Sequence, residues 1–384
     1  MSKKVIIIGG GICGLTTAIS LSKIGLDVVL FERDDSLREV GAGLTLWSNG
    51  VYALKHMGLE QPVLENGQVV QHFEFLNSKG RSLGVVDLKK SESSMGVSHL
   101  SIHRMRLMNA LESQIHSSDM VKLNHEFVSY TQDARAVHAH FANGHVESGD
   151  ILLDCEGFHS KARKAILSHD NKRYSGYTCW RGVTTIPSSY TARGDIKHYI
   201  GPGAQVGIFD VGHETVCWYA TANVSAGRKD SGEERRQEVL ERFGDYPKDV
   251  ITIFESTESD DYLKNDIYDR NPVNRWIDDR VLLMGDAAHP TTPNLGQGAC
   301  MAIEDAAVLT ACLKKYPSNH QYAFARYSRL RKKRTAQIVM DSRRAGEVGQ
   351  QENMLVLPVR DLLFEVIVKT GQMRSFDQSV CYKV

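Results

Sequence analysis

A glycine-rich turn near the N-terminus constrains the fold more than any other feature of the sequence. Gly9, Gly11 and Gly14 follow the β-branched run 5–8 and open a segment with helical periodicity, and a second β-type run fills residues 28–31. The first glycine makes a tight turn, the second lets a pyrophosphate approach the backbone, and the third lets helix pack on strand. This order predicts a βαβ unit that binds a dinucleotide.

An acidic residue ends the second strand of this unit. Glu32 lies 18 residues beyond Gly14, where a carboxylate can accept hydrogen bonds from the hydroxyls of an adenosine ribose. The helix N-terminus supplies free N–H groups to the phosphates. A glycine-rich turn beside a surface glutamate is the alternative interpretation. The pattern favours a dinucleotide but does not separate NAD from FAD.

Composition excludes several classes of partner. The 384 residues contain 46 basic and 46 acidic side chains, so no overall field attracts nucleic acid, and we expect no nucleic-acid partner. The seven cysteines are odd in number and lack a CxxC pair, which fits neither a disulfide framework nor a zinc site. We therefore expect reduced thiols, no metal and a cytoplasmic location.

A membrane span is also excluded by the sequence. No run reaches the roughly 18 uncharged apolar residues that a spanning helix needs. The most apolar late segment, 354–368, is interrupted by Pro358, Arg360, Asp361 and Glu365. The pattern leaves attachment to a membrane surface open.

The hydrophobic pattern changes along the chain and predicts an α/β fold with two domains. Strand-like segments with glycine-rich turns, typical of an antiparallel sheet, occupy parts of 72–100 and 172–272, and the βα pattern returns after Arg280. The prediction is a discontinuous nucleotide-binding domain (1–71, 101–171 and 273–350), an inserted antiparallel β-sheet substrate domain (72–100 and 172–272) and a helical C-terminal tail (351–384).

A second motif follows the predicted strand at 281–284. Asp286 stands at the strand's carboxyl end, where it can accept from a ribityl hydroxyl, and a rigid turn leads to Gly296, Gln297 and Gly298. The backbone of these three residues can run beside a flat ring. The helix that follows would point its positive end at negative charge on that ring, which favours a flavin.

Residues 285–306, GDAAHPTTPNLGQGACMAIEDA, strongly resemble the second FAD motif of the group A flavoprotein monooxygenases, the p-hydroxybenzoate hydroxylase-like family. Within it, the subgroup of urate hydroxylase, salicylate hydroxylase and zeaxanthin epoxidase is most similar. Further matches cover about 1–310. The resemblance implies a Rossmann-like, GR2-type FAD-binding domain whose FAD-binding residues are Gly9, Gly11, Gly14, Glu32, Arg33, Gly43, Thr45, Arg104, Val128, Asp286, Gly296, Gln297 and Gly298. Arg104 matches the arginine near the pyrophosphate, and Val128 falls where the family contacts adenine. The matching stretch around Gly43 begins at Gly41.

The resemblance also implies an activity. NADH or NADPH would reduce a non-covalently bound FAD, O2 would add at its C4a atom, and the hydroperoxide would hydroxylate an aromatic or heteroaromatic small molecule. The alternatives are an epoxidase or antibiotic-inactivating monooxygenase with a bulkier substrate, and a flavin- or ligand-binding protein without turnover. We expect a monomer or homodimer.

The sequence departs from the family in one element beside the pyrophosphate. An Asp-Gly pair followed by Ser-x-x-Arg is usual and is implicated in the use of the nicotinamide cofactor. Here Glu156 takes the Asp position, Asp154 stands where a small residue is common, and Ser160 and Arg163 complete the element. Glutamate is one methylene longer than the usual aspartate. The extra methylene of Glu156 is expected to crowd or shift the hydrogen bond that the aspartate makes in the family.

The substrate side offers candidates but no certain catalytic residue, because this chemistry needs no acid–base side chain. The candidates are Arg181, Tyr219, Trp47 and Pro293. Arg181 could hold an anionic or carbonyl-rich substrate, with a structural salt bridge as the alternative.

Two further positions limit what the resemblance carries over. An arginine and a tyrosine that contact urate in the urate hydroxylases are matched here by Gln205 and Val216. The resemblance therefore does not predict urate as the substrate. His289 could act as a base or be structural.

Overall fold

The computed structural model describes residues 3–37, 42–185, 194–371 and 373–384. Gly41 of the predicted motif lies outside these residues. The strands, in chain order, are β1 (Lys4–Ile8), β2 (Asp27–Phe31), β3 (Gly43–Leu46), β4 (Gln68–Val69), β5 (His72–Asn77), β6 (Ser82–Val86), β7 (Leu100–His103), β8 (Val121–Lys122), β9 (Phe127–Gln132), β10 (Val137–Phe141), β11 (Val146–Gly149), β12 (Ile151–Asp154), β13 (Arg173–Thr185), β14 (Asp195–Gly201), β15 (Ala204–Asp210), β16 (Thr215–Ala222), β17 (Leu263–Asp269), β18 (Ile277–Asp278) and β19 (Val281–Leu283).

The α-helices are α1 (Ile12–Lys23), α2 (Ser48–His56), α3 (Glu60–Leu64), α4 (Lys89–Met95), α5 (Arg104–Glu112), α6 (Lys161–Ile166), α7 (Gly232–Phe243), α8 (Lys248–Glu255), α9 (Gly298–Lys315), α10 (His320–Gly349), α11 (Leu357–Lys369) and α12 (Arg374–Val380). Short 3₁₀ helices cover Ser118–Met120, Gly157–His159, Ser259–Asp261, Gly285–Ala287 and Pro293–Leu295.

The N-terminal βαβ unit lies at the centre of a six-stranded sheet. Its strand order is β18-β19-β12-β1-β2-β8, with every pair parallel except β18 and β19. The β1 side chains Val5, Ile6 and Ile7 are 0% exposed, because helices cover both faces of a parallel sheet. The carboxyl ends of β1, β12 and β19 therefore meet at one edge, where the two glycine-rich turns begin.

A second, seven-stranded sheet has the order β17-β13-β16-β15-β14-β5-β6 and is antiparallel except between β14 and β5. One face packs on α7 and α8, where Trp180 and Trp218 are fully buried with Phe243 and Phe254. The other face looks onto a large cavity. Because side chains alternate across a strand, Tyr219 and Thr221 of β16 line the cavity, whereas Val216, Ala220 and Ala222 face the core.

Small sheets and the C-terminal helices complete the fold. The strands β11-β10-β9 and β3-β7-β4 form two three-stranded sheets. α11 packs its inner face on β6, and the Phe376 ring of α12 meets the Trp47 ring edge-on at 4.9 Å. The predicted mixed α/β class is confirmed, and the division into domains at the stated boundaries stays a prediction. No helix in the described residues is long and apolar enough to cross a bilayer.

Candidate active site

The predicted site residues converge on one cavity of about 2050 Å³, bordered by both large sheets and by α11 and α12. Pockets for a single small ligand typically hold about 300–1,000 Å³, so this cavity has room for a dinucleotide and a second molecule. Fourteen of the predicted residues line it, namely Gly9, Gly11, Glu32, Arg33, Gly43, Thr45, Trp47, Arg104, Arg181, Tyr219, Asp286, Pro293, Gly296 and Gly298.

The first glycine turn admits no side chain at two of its positions. Gly9 has φ +98°, and a Cβ there would lie 2.5 Å from the Cys155 carbonyl oxygen. A Cβ at Gly14 would lie 1.9 Å from the Gly9 carbonyl oxygen, so Gly14 serves helix packing behind the cavity. The N-cap of α1 is Gly11, and no side chain caps the helix. Its first N–H groups are therefore available to an anionic ligand.

Glu32 follows β2 and lines the cavity beside this turn. One carboxylate oxygen accepts from the Gly10 N–H at 2.6 Å and the other from the Asp34 N–H at 3.0 Å. An ionised carboxylate has about four acceptor sites, so Glu32 can still accept from ribose hydroxyls. Arg33 is exposed, with its Nε 3.7 Å from an Asp34 carboxylate oxygen.

The second motif forms an open turn above α9. Asp286 is exposed in the 3₁₀ helix Gly285–Ala287 and faces the cavity. Pro293 begins the next 3₁₀ helix, and Gly296 ends it with φ +60°. The indole N–H of Trp47 donates to the Leu295 carbonyl at 3.1 Å, so Trp47 supports the turn and also lines the cavity.

Gln297 faces away from the cavity. Its side chain is 1% exposed and accepts from the Asn49 amide at 2.8 Å. The same Asn49 amide donates to Glu304 at 2.6 Å. Only the backbone of Gln297 remains available beside a ligand in the cavity. This agrees with the prediction that the backbone of 296–298 runs beside a flat ring.

Of the other residues that the resemblance assigns to FAD, three line the cavity and one does not. Arg104 begins α5 and lines the cavity, and the Thr45 hydroxyl lies 3.4 Å from the Ser101 hydroxyl. A Cβ at Gly43 would lie 2.7 Å from Cys217 Sγ, so this glycine lets β3 approach the substrate-side sheet. Val128 is 47% exposed and is not part of the cavity wall among the described residues, whereas its neighbour 127 is.

His289 belongs to a buried ionic network behind the second motif. Its Nε2 lies 2.7 Å from Asp305, whose other oxygen accepts from Arg331 at 2.6 Å. Burial alone would raise the pKa of Asp305, but the charges of His289 and Arg331 outweigh it and hold that pKa below its usual range. Because His289 is 3% exposed and absent from the described cavity wall, its position favours the structural role over the base.

Glu156 lies between the first glycine turn and the start of α6. One of its oxygens accepts from the Lys161 N–H at 2.8 Å, at the start of α6. The adjacent Asp154 is fully buried and accepts from the Ser160 hydroxyl and the Glu156 N–H. Burial, and then the nearby charge of Glu156, raise the pKa of Asp154 to about 8. Arg163 donates to the carbonyls of 287 and 288, which ties this element to the second motif.

On the substrate side, strand register aligns one row of residues across five strands. Arg181 of β13 lies opposite Tyr219 of β16, which lies opposite Gly207 of β15. Gly207 lies opposite His198 of β14, and His198 opposite Phe75 of β5. Directly paired residues share a sheet face, so the row presents a cation, a phenol, an imidazole and a phenyl ring to the cavity.

The gap at Gly207 lets two members of this row meet. A Cβ at Gly207 would lie 2.1 Å from the Tyr219 ring. The phenol therefore crosses the glycine, and its oxygen lies 2.6 Å from His198 Nδ1. On the other side, His198 Nε2 lies 3.0 Å from the amide oxygen of Gln205. Because that oxygen can only accept, Nε2 carries the proton and Nδ1 accepts from Tyr219.

Burial keeps this chain of groups neutral. It lowers the pKa of His198 to about 4 and raises the pKa of Tyr219 above its usual range. Arg181, half-buried at the end of the row, donates to the Asn265 amide oxygen at 3.4 Å. The described residues offer Arg181 no ion pair, so the predicted salt-bridge alternative has no partner among them.

Comparison with known proteins agrees with this geometry. Residues 2–342 match the family described as FAD binding domain. The aurachin C monooxygenase/isomerase of Stigmatella aurantiaca is 35% identical over 363 residues, 94% of each chain. The FAD-dependent urate hydroxylase of Mycolicibacterium vanbaalenii is 28% identical over 90% of this chain and 88% of its own. The chain belongs to the FAD binding domain family of flavin-dependent monooxygenases.

The crystal structure of Klebsiella pneumoniae HpxO complexed with FAD and uric acid superposes with a TM-score of 0.91 at 24% identity. That match covers 98% of this chain and 96% of the other. The likeness supports the fold. The predicted membership in the flavin-dependent monooxygenases, and with it the oxidoreductase class, is confirmed.

The residues present fit the FAD that this family binds. The N-terminus of α1, which no side chain caps, the glycine turn at Gly9, and the carboxylates of Glu32 and Asp286 all line one cavity. These are backbone donors and carboxylate acceptors of the kind that a dinucleotide requires. The positions of the individual contacts remain predictions.

Sequence reasoning missed several members of this flavoprotein's cavity wall. His198 falls inside the predicted substrate domain (172–272), and its place two residues before Ile200, on the same face of one strand, could have marked it as a wall residue. Phe364 and Phe376 come from the C-terminal tail and also line the cavity. The Phe75 ring packs on Phe364 at 4.8 Å and on His198 at 5.2 Å, so the tail packs against the Phe75 end of the row.

Proposed function

We propose that this flavoprotein hydroxylates a neutral aromatic or heteroaromatic small molecule, with NADH or NADPH as co-substrate. The observation that carries the proposal is the neutral hydrogen-bonded chain Tyr219–His198–Gln205, set in the cavity that also contains the second FAD motif. A neutral substrate can pair with these groups without burying an unpaired charge, which would be costly.

The chain leaves specific hydrogen-bonding capacity for a substrate. Since the Gln205 amide oxygen is engaged by His198, its N–H2 group can donate to a ring carbonyl or hydroxyl. The Tyr219 oxygen donates its proton to His198 and can still accept one. Phe73, paired with Ile196 in the neighbouring register row, supplies an apolar wall. Arg181, at the opposite end of the row from Phe75, would hold a polar substituent of the ring.

The cofactor would be held by residues already in place. Gly9, Gly11 and the α1 N-terminus would take the pyrophosphate, with Arg104 nearby. Glu32 would take the ribose and Asp286 the ribityl chain. When bound, the flavin accepts a hydride from NADH or NADPH and activates O2, which supplies the oxygen atom transferred to the substrate. The protein orients the ring and excludes water from the cavity.

A bulkier substrate is the second candidate, favoured by the cavity volume of about 2050 Å³. Epoxidation or inactivation of an antibiotic would fit that space. Gln205 in place of the arginine, and core-facing Val216 in place of the tyrosine, argue against urate. We further propose a cytoplasmic enzyme, since all cysteines in the described residues are free thiols, and a monomer or homodimer.

The test is a screen of neutral heteroaromatics, aromatic acids and bulkier polycyclic compounds against the FAD-loaded protein. NADH and NADPH oxidation are followed with H2O2 release, and products are analysed by mass. A neutral ring that stimulates oxidation, gains one oxygen atom and suppresses H2O2 supports the proposal. Turnover restricted to anionic acids, or ligand binding without any oxidation of either nicotinamide, would overturn it.

A further inference from the structure

The C-terminal helix α11 has two apolar faces, and only one of them is covered. Its inner side chains Leu357 and Val368 are 7% and 3% exposed, and Val368 packs on β6 at Gly84. Its outer face, defined as Val359, Leu362, Leu363, Val366 and Ile367, is 40–62% exposed. The outer face is unpartnered within the described chain.

The outer face is a continuous apolar stripe. At about 100° per residue, its five residues span an arc of about 140°, and no charged side chain falls within that arc. The stripe continues into the turn before the helix, where Leu355 is 87% exposed. Monomeric soluble proteins rarely expose apolar patches of this extent without an interaction to cover them.

We propose that the outer face of α11 docks on the surface of a neutral phospholipid bilayer. A helix of this kind lies in the plane of the interface, with its apolar face buried about 5–10 Å among the lipids. The proposal concerns a surface rather than turnover, and it goes beyond the hydroxylase function proposed above.

The extent of the face favours lipid over a second copy of the chain. A standard protein interface engages about 20–30 residues on each side. The outer face and the turn before it offer eight exposed apolar side chains, counting Met354, Leu355 and Val356. A bilayer needs no complementary surface, so a stripe of this width suffices.

The charges at the border of the outer face select the kind of lipid. Glu365 accepts from Arg81 at 2.9 Å and from Lys369 at 2.7 Å, and Asp361 pairs with Arg360 at 2.8 Å. These two acidic and three basic side chains nearly balance, and the whole chain has a formal net charge of 0. Without a basic patch, attraction to anionic lipid is weak, and the apolar contact must supply the binding.

The outer face is also continuous with the cavity wall. Ile367 is 40% exposed on the outer face and lines the cavity, as does Phe364 one turn earlier. Docking would therefore place this edge of the cavity against the bilayer. A ring substrate carrying an apolar chain could then enter from the lipid without crossing water.

The experiment sediments the FAD-loaded full chain with phosphatidylcholine vesicles, in the absence of substrate and nicotinamide. We expect wild type to sediment with the vesicles equally at low salt and at about 1 M salt, where the Debye length is about 3 Å. Val359→Gln with Leu362→Gln should reduce the vesicle partition at least about tenfold, because two apolar side chains no longer enter the lipid. The control Val146→Gln with Leu330→Gln alters exposed apolar residues elsewhere and should bind as wild type.

Three outcomes would overturn the proposal. The wild type could stay in the supernatant, or both double variants could bind equally. Light scattering could instead show a dimer that the Val359/Leu362 variant alone dissociates, which would assign the outer face to a second copy. Flavin content and melting temperature, unchanged in both variants, verify that folding is intact. A failed hydroxylation screen would leave these readouts unaffected.

Discussion

The phenol of Tyr219 crosses the backbone of Gly207 to reach Nδ1 of His198 at 2.6 Å. The contact joins two strands that are not neighbours, because the strand between them contributes no side chain at that point. A glycine in the middle of a strand usually weakens it, and such glycines often mark a close approach of another group. Here the group is the side chain of Tyr219.

Gly207→Ala should therefore displace the Tyr219 ring and break its bond to His198. We expect substrate affinity to fall by about fivefold to tenfold, the scale of a neutral hydrogen bond plus local strain, with FAD content unchanged. Tyr219→Phe keeps the ring and removes the hydroxyl, so it separates the loss of the hydrogen bond from the displacement of the ring. Titration of flavin absorbance with the substrate found in the screen measures both, and unaltered affinity in both variants would remove this pair from the substrate site.

Gly9→Ala should abolish FAD binding, because the new Cβ would meet the Cys155 carbonyl oxygen at 2.5 Å. Gly25→Ala is a matched control at the other end of α1. Gly25 also has a positive φ, +83°, but a Cβ there meets nothing within 4 Å. It should cost about 1–2 kcal/mol of stability from backbone strain and keep the flavin. Flavin absorbance of the protein after gel filtration measures the bound FAD. A yellow Gly9→Ala protein would contradict the prediction.

Glu156→Asp should slow reduction of the flavin by NADH or NADPH several-fold. The shorter side chain draws away from the Lys161 N–H, and loss of a hydrogen bond to a charged acceptor costs about 1.5–3 kcal/mol. Glu156→Gln keeps both the length and an acceptor oxygen, so it should reduce at a rate closer to wild type. Stopped-flow bleaching of the flavin measures the rates. Faster reduction in Glu156→Asp would show that the family's usual aspartate is accommodated without the hydrogen bond to the Lys161 N–H.

Acid should destabilise the wild type through His198. Its folded pKa of about 4 lies below the usual value near 6.5, so the unfolded chain binds more protons between these values. Stability contributed by neutral His198 is then present above about pH 6.5 and is lost as the pH falls toward 4. The difference in urea stability between wild type and His198→Gln should shrink from pH 7 to pH 4.5. A constant difference would mean that the pKa of His198 is the same in the folded and the unfolded chain.

Arg181→Ala should leave flavin reduction without substrate intact. It should weaken the binding of a substrate that carries a carbonyl substituent by about 1.5–3 kcal/mol, the range for a charged hydrogen bond. The exposed Arg135→Ala serves as the control for loss of one positive charge. Unchanged substrate affinity together with a lowered melting temperature would convert Arg181 into a structural residue.

The sequence alone predicted the parts of the site that depend on local backbone geometry. The Gly9 turn and the segment from Asp286 to Gly298 are encoded by residues close together in the chain. The meeting of Tyr219 with His198 could not be predicted in this way, since it depends on the register of three strands and on one missing side chain. The closure of the cavity by Phe376 depends on where a distant helix packs.

The assembly of the central sheet also sets when the cofactor can act on folding. β1 pairs with β12, which begins at Ile151, and β12 pairs with β19, which begins at Val281. Parallel pairing between such distant segments is slow to form. The cradle at Gly9 and Asp286 exists only after those pairings, so FAD should slow unfolding and leave the rate of refolding nearly unchanged.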